Sequence, residues 1–239
     1  MRFDIRNRLA VSFIILAVAG AACERKAANT ASGTPIADQK PISPPIDPNR
    51  PKVVAFGDSL TAGTTIEDAS KTYPSLLQND IDAAGYEFQV INRGRAGDTS
   101  KQGLERLDEA LGLGNVRVVI VALGANDADR NVPVSDVKAN LTEIVTRSKS
   151  AGARVLLCGY EPPDRIDANY RTAMRSMYAD VARENDIPLL QSLLGAAAND
   201  PALLSPDGVH PNEKGAQVVE QNVWKALQPL LKGVKKERQ

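Results

Sequence analysis

The chain alternates between short, almost wholly apolar runs and longer stretches in which apolar residues recur every three or four positions. The runs predict strands at 52–56, 87–92 (Glu-Phe-Gln-Val-Ile-Asn), 116–123, 153–159 and near 187–190. Helical spacing fills about 72–84, 100–111, 134–150, 168–185 and 212–231. The 134–150 segment shows it best: Val134, Val137, Leu141, Ile144 and Val145 share one stripe, while Asp136 near its start and Lys149 near its end suit the helix dipole. Strands apolar on both faces, each followed by a helix, call for a parallel sheet covered on both sides. Right-handed crossovers then give an α/β fold, a three-layer α/β/α sandwich around a central, mostly parallel five-stranded sheet. Such a sheet brings the loops after residues 56, 92, 123, 159 and 190 to one edge, at the carboxyl ends of the strands, where open α/β sheets bind their ligands.

The two ends of the chain fall outside this pattern. Arg2, Arg6 and Arg8, an apolar run from Leu9 to Ala19 and the small residues Gly20-Ala21-Ala22 have the form of a secretory signal peptide over residues 1–22. The apolar stretch is too short for a confident membrane span. Cys23 follows directly, and small residues before a cysteine resemble the lipobox of bacterial lipoproteins, whose cysteine is lipidated. Gly20 departs from the aliphatic residue usual in that pattern, so an ordinary signal-peptidase site is the alternative. The protein is therefore expected to be exported and periplasmic, either soluble or tethered to a membrane through Cys23. Residues 23–51, rich in Ala, Thr, Ser and Pro, have too few large apolar groups to fold and are expected to form a disordered tether. Residues 233–239 read as a solvated basic tail, which leaves 52–232 as one domain with length enough for one buried core.

Charge narrows the partners. Lys and Arg number 29 and Asp and Glu 29, a formal balance of zero that argues against nucleic acid, since phosphate binding needs a basic surplus or patch. Of the two cysteines, Cys158 lies in the strand-like Arg154-Val-Leu-Leu-Cys-Gly159 and reads as a small buried hydrophobe. A disulfide to Cys23 would tie a tether to a core strand and is discounted.

Four polar stretches sit at the expected sheet edge or beside it. The first strand ends in Gly57-Asp58-Ser59-Leu60, which either presents Ser59 to a ligand or is a plain capping turn, with Gly57 for backbone freedom and Asp58 or Ser59 as cap. In Asn92-Arg-Gly-Arg-Ala-Gly97-Asp-Thr-Ser100, Gly97 stands just ahead of a helix, where free N–H groups can hold an anion; Asp98 or Thr99 as helix cap is the simpler reading. Gly124-Ala-Asn126-Asp-Ala-Asp129 offers the Asn126 amide as a donor, though turn chemistry also favours such residues. Asp127 and Asp129 are too few ligands to suggest a metal. In Ser205-Pro-Asp207-Gly-Val-His210-Pro-Asn, the chain's single histidine follows Asp207 by three residues. The carboxylate can reach one ring nitrogen and fix the tautomer, leaving the other free as a general base. Its candidate nucleophile is Ser59.

In order and spacing, Gly-Asp-Ser-Leu, the glycine before the second helix, Gly-x-Asn-Asp and Asp-x-x-His resemble the four blocks of the SGNH, or GDSL, hydrolase family. The resemblance spans roughly residues 52–231. Gly97-Asp-Thr-Ser, Gly124-Ala-Asn-Asp, Asp186-Ile-Pro-Leu-Leu and Asp207-Gly-Val-His-Pro-Asn make it most similar to the bacterial periplasmic acyl-CoA thioesterase, arylesterase and lysophospholipase group. The resemblance implies a flavodoxin-like SGNH fold with Ser59 as nucleophile, His210 as base and Asp207 as its orienting partner. It also implies an oxyanion hole from the Ser59 and Gly97 N–H groups and the Asn126 amide. The implied substrate is a small acyl ester or thioester, such as an aryl ester, a short or medium acyl ester or a lysophospholipid, with no cofactor or metal. Loops 125–133 and 160–167 are expected to wall the acyl groove. An O-acetylesterase acting on carbohydrate or cell wall, and a non-catalytic binding lipoprotein, are the alternatives; oligomeric state is not readable.

Overall fold

The computed structural model describes residues 45–232; the expected signal peptide, Cys23, most of the tether and the basic tail lie outside the described residues. Five parallel strands, β1 (Lys52–Gly57), β2 (Gln89–Gly94), β3 (Val116–Ala122), β4 (Arg154–Cys158) and β5 (Leu189–Leu190), form one sheet in the order β2-β1-β3-β4-β5. Val53, Val54, Phe56, Val119, Ile120 and Leu156 have no solvent-exposed surface, as strands covered on both faces require.

The helices are α1 (Ser59–Ala62), α2 (Tyr73–Ala83), α3 (Ser100–Glu105), α4 (Leu107–Leu111), α5 (Ala125–Asp129), α6 (Val134–Ser150), α7 (Ala168–Glu184) and α8 (Glu213–Lys232). α2 packs against α8, and α6 packs between α3 and α7. With this strand order and right-handed crossovers, the two groups cover opposite faces of the sheet, completing the three-layer sandwich. The α6 stripe falls inward as its spacing requires: Val137, Leu141, Ile144 and Val145 are buried, and Val134 is half-buried at the margin.

Three departures from the sequence pattern have physical causes. β2 runs two residues beyond the apolar stretch, pairing as far as Gly57 with Gly94. The polar Asn92 is tolerated there because its amide donates to Thr61 O (3.0 Å) and its side-chain oxygen accepts from Gly94 N (2.8 Å). β5 keeps only two residues; Pro188 has no N–H to give and joins only through its carbonyl, which accepts from Leu157 N (3.1 Å). The helix expected at 100–111 is two helices, interrupted at Arg106 (φ −107°, ψ 9°), whose side chain turns inward. Residues 45–51 have no regular structure but lie against β2, with Asp47 N donating to Gln89 Oε1 (2.9 Å) and Arg50 Nη2 to Phe88 O (2.6 Å).

Candidate active site

β1 ends at Gly57 and the chain turns at once into α1, with Asp58 as N-cap accepting from Leu60 N at 3.0 Å. The cap leaves Ser59 half-buried at the carboxyl edge of the sheet, beside the point where strand order reverses between β1 and β3. Asp58 is 1 % exposed, and this burial pushes its carboxyl up to about 7; the Leu60 N–H works against the rise, and the charges of Asp127 and Asp98 add to it.

The loop from β5 to α8 brings the histidine across 151 residues of sequence. Ser205 N donates to His210 O (2.7 Å), Gly208 N to Ser205 O (2.9 Å), and Leu204 bridges Pro211, so the segment folds back as a tight hairpin. Asn212 fastens its base: the amide donates to Ala202 O and Leu204 O, and the side-chain oxygen accepts from Lys214 N and Gly215 N at the start of α8. Thr65 Oγ1 donates to Pro211 O at 3.1 Å, tying the hairpin to the chain beyond α1.

The result is a continuous row of hydrogen-bonded groups. His210 Nε2 lies 2.8 Å from Ser59 Oγ, and His210 Nδ1 lies 2.7 Å from Asp207 Oδ2. The other carboxylate oxygen, Asp207 Oδ1, accepts from the backbone N–H groups of Val209 (2.9 Å) and His210 (3.0 Å). Partial burial works to raise the Asp207 pKa, but those two N–H groups and the imidazole hold it below the usual carboxylate value. An ionised carboxylate on Nδ1 selects the tautomer with the proton there, so Nε2 faces the Ser59 hydroxyl as an acceptor.

Gly97 and Asn126 arrive from the ends of β2 and β3. Gly97 adopts φ +82°, and its carbonyl accepts from Arg130 Nη2 at 2.9 Å. Asn126, in the first turn of α5, donates from Nδ2 to Asp98 O at 2.9 Å, which uses one of the two hydrogens that an amide carries. Of the two cap candidates for α3, Thr99 is the cap, in a reciprocal capping box with Gln102, and Asp98 pairs instead with the Arg106 guanidinium. Asp127 is wholly buried and accepts from both the backbone N and the hydroxyl of Ser100, each at 2.7 Å, bracing α5 against α3. Asp129 pairs with Arg165 at 2.7 Å, joining segments 125–133 and 160–167. Cys158 is 1 % exposed, its thiol pushed far up by burial.

All five residues singled out in the sequence thus stand at one edge of the sheet or in the hairpin folded onto it. Arg106, Arg130 and Asn212, which hold the surrounding loops, were not singled out. None of the three stands out in the sequence, because each is recognised only by partners that the fold brings to it.

The model of the GDSL-like lipase/acylhydrolase family matches residues 55–218. The chain is 31% identical over 179 residues to esterase TesA of Pseudomonas aeruginosa, covering 75% of this chain and 89% of that protein. It is 33% identical over 179 residues to thioesterase 1/protease 1/lysophospholipase L1 of Escherichia coli, covering 75% and 84%. The crystal structure of the psychrotrophic esterase EstA from Pseudoalteromonas sp., inhibited by monoethylphosphonate, superposes with a TM-score of 0.71 at 26% identity, over 76% of this chain and 99% of that one. Sheet order, sequence match and superposition agree: the chain belongs to the GDSL-like lipase/acylhydrolase family.

Proposed function

We propose that the protein is a serine hydrolase that cleaves carboxylic esters or thioesters through an acyl-enzyme, with Ser59 as nucleophile, His210 as base and Asp207 as its orienting partner. The observation that carries this reading is the 2.8 Å contact of His210 Nε2 with Ser59 Oγ, backed by Asp207 at 2.7 Å on the far side of the ring. Nε2 takes the hydroxyl proton as Oγ bonds to the acyl carbon, and the carbonyl electron pair moves onto oxygen. The oxyanion is met by the Ser59 and Gly97 N–H groups and the free hydrogen of the Asn126 amide. Collapse expels the alcohol or thiol, which leaves with the proton held by His210. Water then repeats the sequence on the acyl-enzyme, its proton passing through Nε2, and frees the acid and Ser59. None of these steps calls for a metal or cofactor.

The named activities of relatives, esterase, thioesterase, arylesterase and lysophospholipase, support aryl esters, short or medium acyl esters and lysophospholipids as the substrate class. With p-nitrophenyl butyrate as substrate, Ser59→Ala is expected to abolish hydrolysis and fluorophosphonate labelling together. Asn126→Ala should lower kcat by about 100- to 1,000-fold, the usual cost of one oxyanion donor. Hydrolysis by Ser59→Ala at the normal rate would sink the mechanism.

Residues 1–22 support export, and Cys23 supports a lipid-tethered form with 52–232 as the catalytic domain. The intact mass of the mature protein should show an amino terminus at Cys23 carrying a diacylglyceryl group. A mature protein with unmodified Cys23 removes the tether and leaves a soluble periplasmic enzyme.

A further inference from the structure

One buried side chain touches several of the segments that would receive the oxyanion, and the mechanism above does not use it. Arg106 sits at the break between α3 and α4, with only 6 % of its side chain exposed. Its three nitrogens go to three different places. Nε donates to Asp98 Oδ2, Nη1 to Arg93 O at 2.9 Å, and Nη2 to Gly57 O at 2.8 Å. The guanidinium also lies over the Phe56 ring, 4.3 Å from its centre.

Gly57 O belongs to the peptide two residues before Ser59, and Arg93 and Asp98 bracket the loop that carries Gly97. The backbone carbonyl of Asp98 is the acceptor for Asn126 Nδ2. All three donors proposed for the oxyanion are thus referenced to a single planar ion. A main-chain bond, Arg95 N to Gly57 O at 3.0 Å, runs parallel to it.

We infer that Arg106 is a positioning residue that sets the spacing of the oxyanion hole by clamping the nucleophile turn to the Gly97 loop. The inference rests on the role proposed above for Ser59, Gly97 and Asn126. Three features favour positioning over bulk stabilisation. A buried ion pair is weak evidence of stability, because well-packed apolar residues often replace one without loss. What the guanidinium supplies, and an apolar group cannot, is a rigid fork with a fixed angle between its acceptors. Its placement also interrupts a helix that the apolar spacing would otherwise run through.

The test uses the full chain and p-nitrophenyl butyrate. Lysine keeps the charge but cannot span three acceptors, so Arg106→Lys is expected to lower kcat about 30- to 100-fold, the scale of a 1 Å misplacement, with KM within about threefold. The rate of fluorophosphonate labelling should fall in parallel, because the phosphoryl oxygen of that adduct occupies the oxyanion site. Millimolar guanidinium should restore part of the activity of Arg106→Ala, and ammonium should not. Leu227→Ala, a core truncation in α8, gives the comparison: lower Tm with kcat per folded molecule kept. Should Arg106→Lys not fold, Asp98→Asn serves in its place; it leaves both carbonyl bonds intact and should still lose about tenfold in kcat by loosening the fork. Full kcat in Arg106→Lys or Asp98→Asn, or a loss that only follows the folded fraction, overturns the inference while leaving the Ser59 mechanism standing. Wild-type activity in Ser59→Ala would instead remove the reading beneath it.

Discussion

Asp58 has two duties that conflict. As N-cap it gives α1 an acceptor for Leu60 N, and as a carboxyl with 1 % of its surface exposed it has little water to stabilise its charge. Burial, with Asp127 and Asp98 nearby, raises its pKa from 3.8 to about 7. The folded state therefore holds the proton more tightly than the unfolded chain. This contribution to stability is complete below about pH 4 and is lost as pH climbs through 7. At about 1.4 kcal/mol per pH unit, the loss between pH 4 and pH 8 is of order 2–4 kcal/mol. Asn is an equally good cap and does not titrate, so Asp58→Asn should remove this slope while keeping α1 in place. Urea unfolding midpoints of both proteins at pH 4.5, 6 and 7.5 check it; parallel curves would show that Asp58 does not titrate in this window.

At the scale of elements, what the sequence disclosed followed from burial. Strands such as Val116–Ala122 are apolar because both faces are covered, and α6 shows its stripe because one face is. That placed the sheet, and with it the edge that carries Ser59, Gly97 and Asn126. Asp207 and His210 were legible for a different reason, since a spacing of three in a tight turn lets a carboxylate reach the ring without any tertiary contact. Elements held by polar contacts were not legible. α1 and α5 are too short for a period, and β2 ends in Asn92-Arg93-Gly94, whose polar residues look like a loop. Only the close approach of two backbones explains Gly94: a Cβ there would stand 2.1 Å from Ala62 N, so glycine lets β2 lie directly against α1. The α3–α4 break was hidden likewise, because Leu104, Leu107 and Leu111 continue one apolar period through Arg106 while the side chain's partners, Gly57, Arg93 and Asp98, are distant in sequence or in the preceding loop.

The whole molecule closes one face of its sheet with α2 and α8, and that contact contains an unusual pair. Glu220 on α8 is 6 % exposed, its Oε1 has no hydrogen-bond partner, and Asp80 on α2 is the carboxyl beside it. Burial first, then the hydrogen bond to Asp80 and the charge of Asp80, raise the Glu220 pKa from 4.5 to about 8. Two carboxylates so placed repel, so a protonated Glu220 suits the joint between these helices better than a charged one. The sign is that of Asp58: stability from this pair is complete below about pH 4.5 and lost as pH rises through 8. The location differs, since Glu220 acts between two covering helices and Asp58 at the nucleophile turn, with no partner in common. Glu220→Gln keeps a donor for Asp80 and removes the titration, so between pH 6 and pH 9 the variant should keep only the fall that Asp58 causes up to about pH 7, while the parent goes on falling to pH 9. With some solvent screening, the difference at pH 9 should be about 2 kcal/mol, or roughly 4–8 °C for a domain of this size. Because the two carboxyls are independent, Asp58→Asn should leave the alkaline part of this fall in place, and the double variant should show the sum of the two changes. A parent Tm that falls no further than that of Glu220→Gln between pH 6 and pH 9 would mean that the α2–α8 joint does not depend on the Glu220 proton.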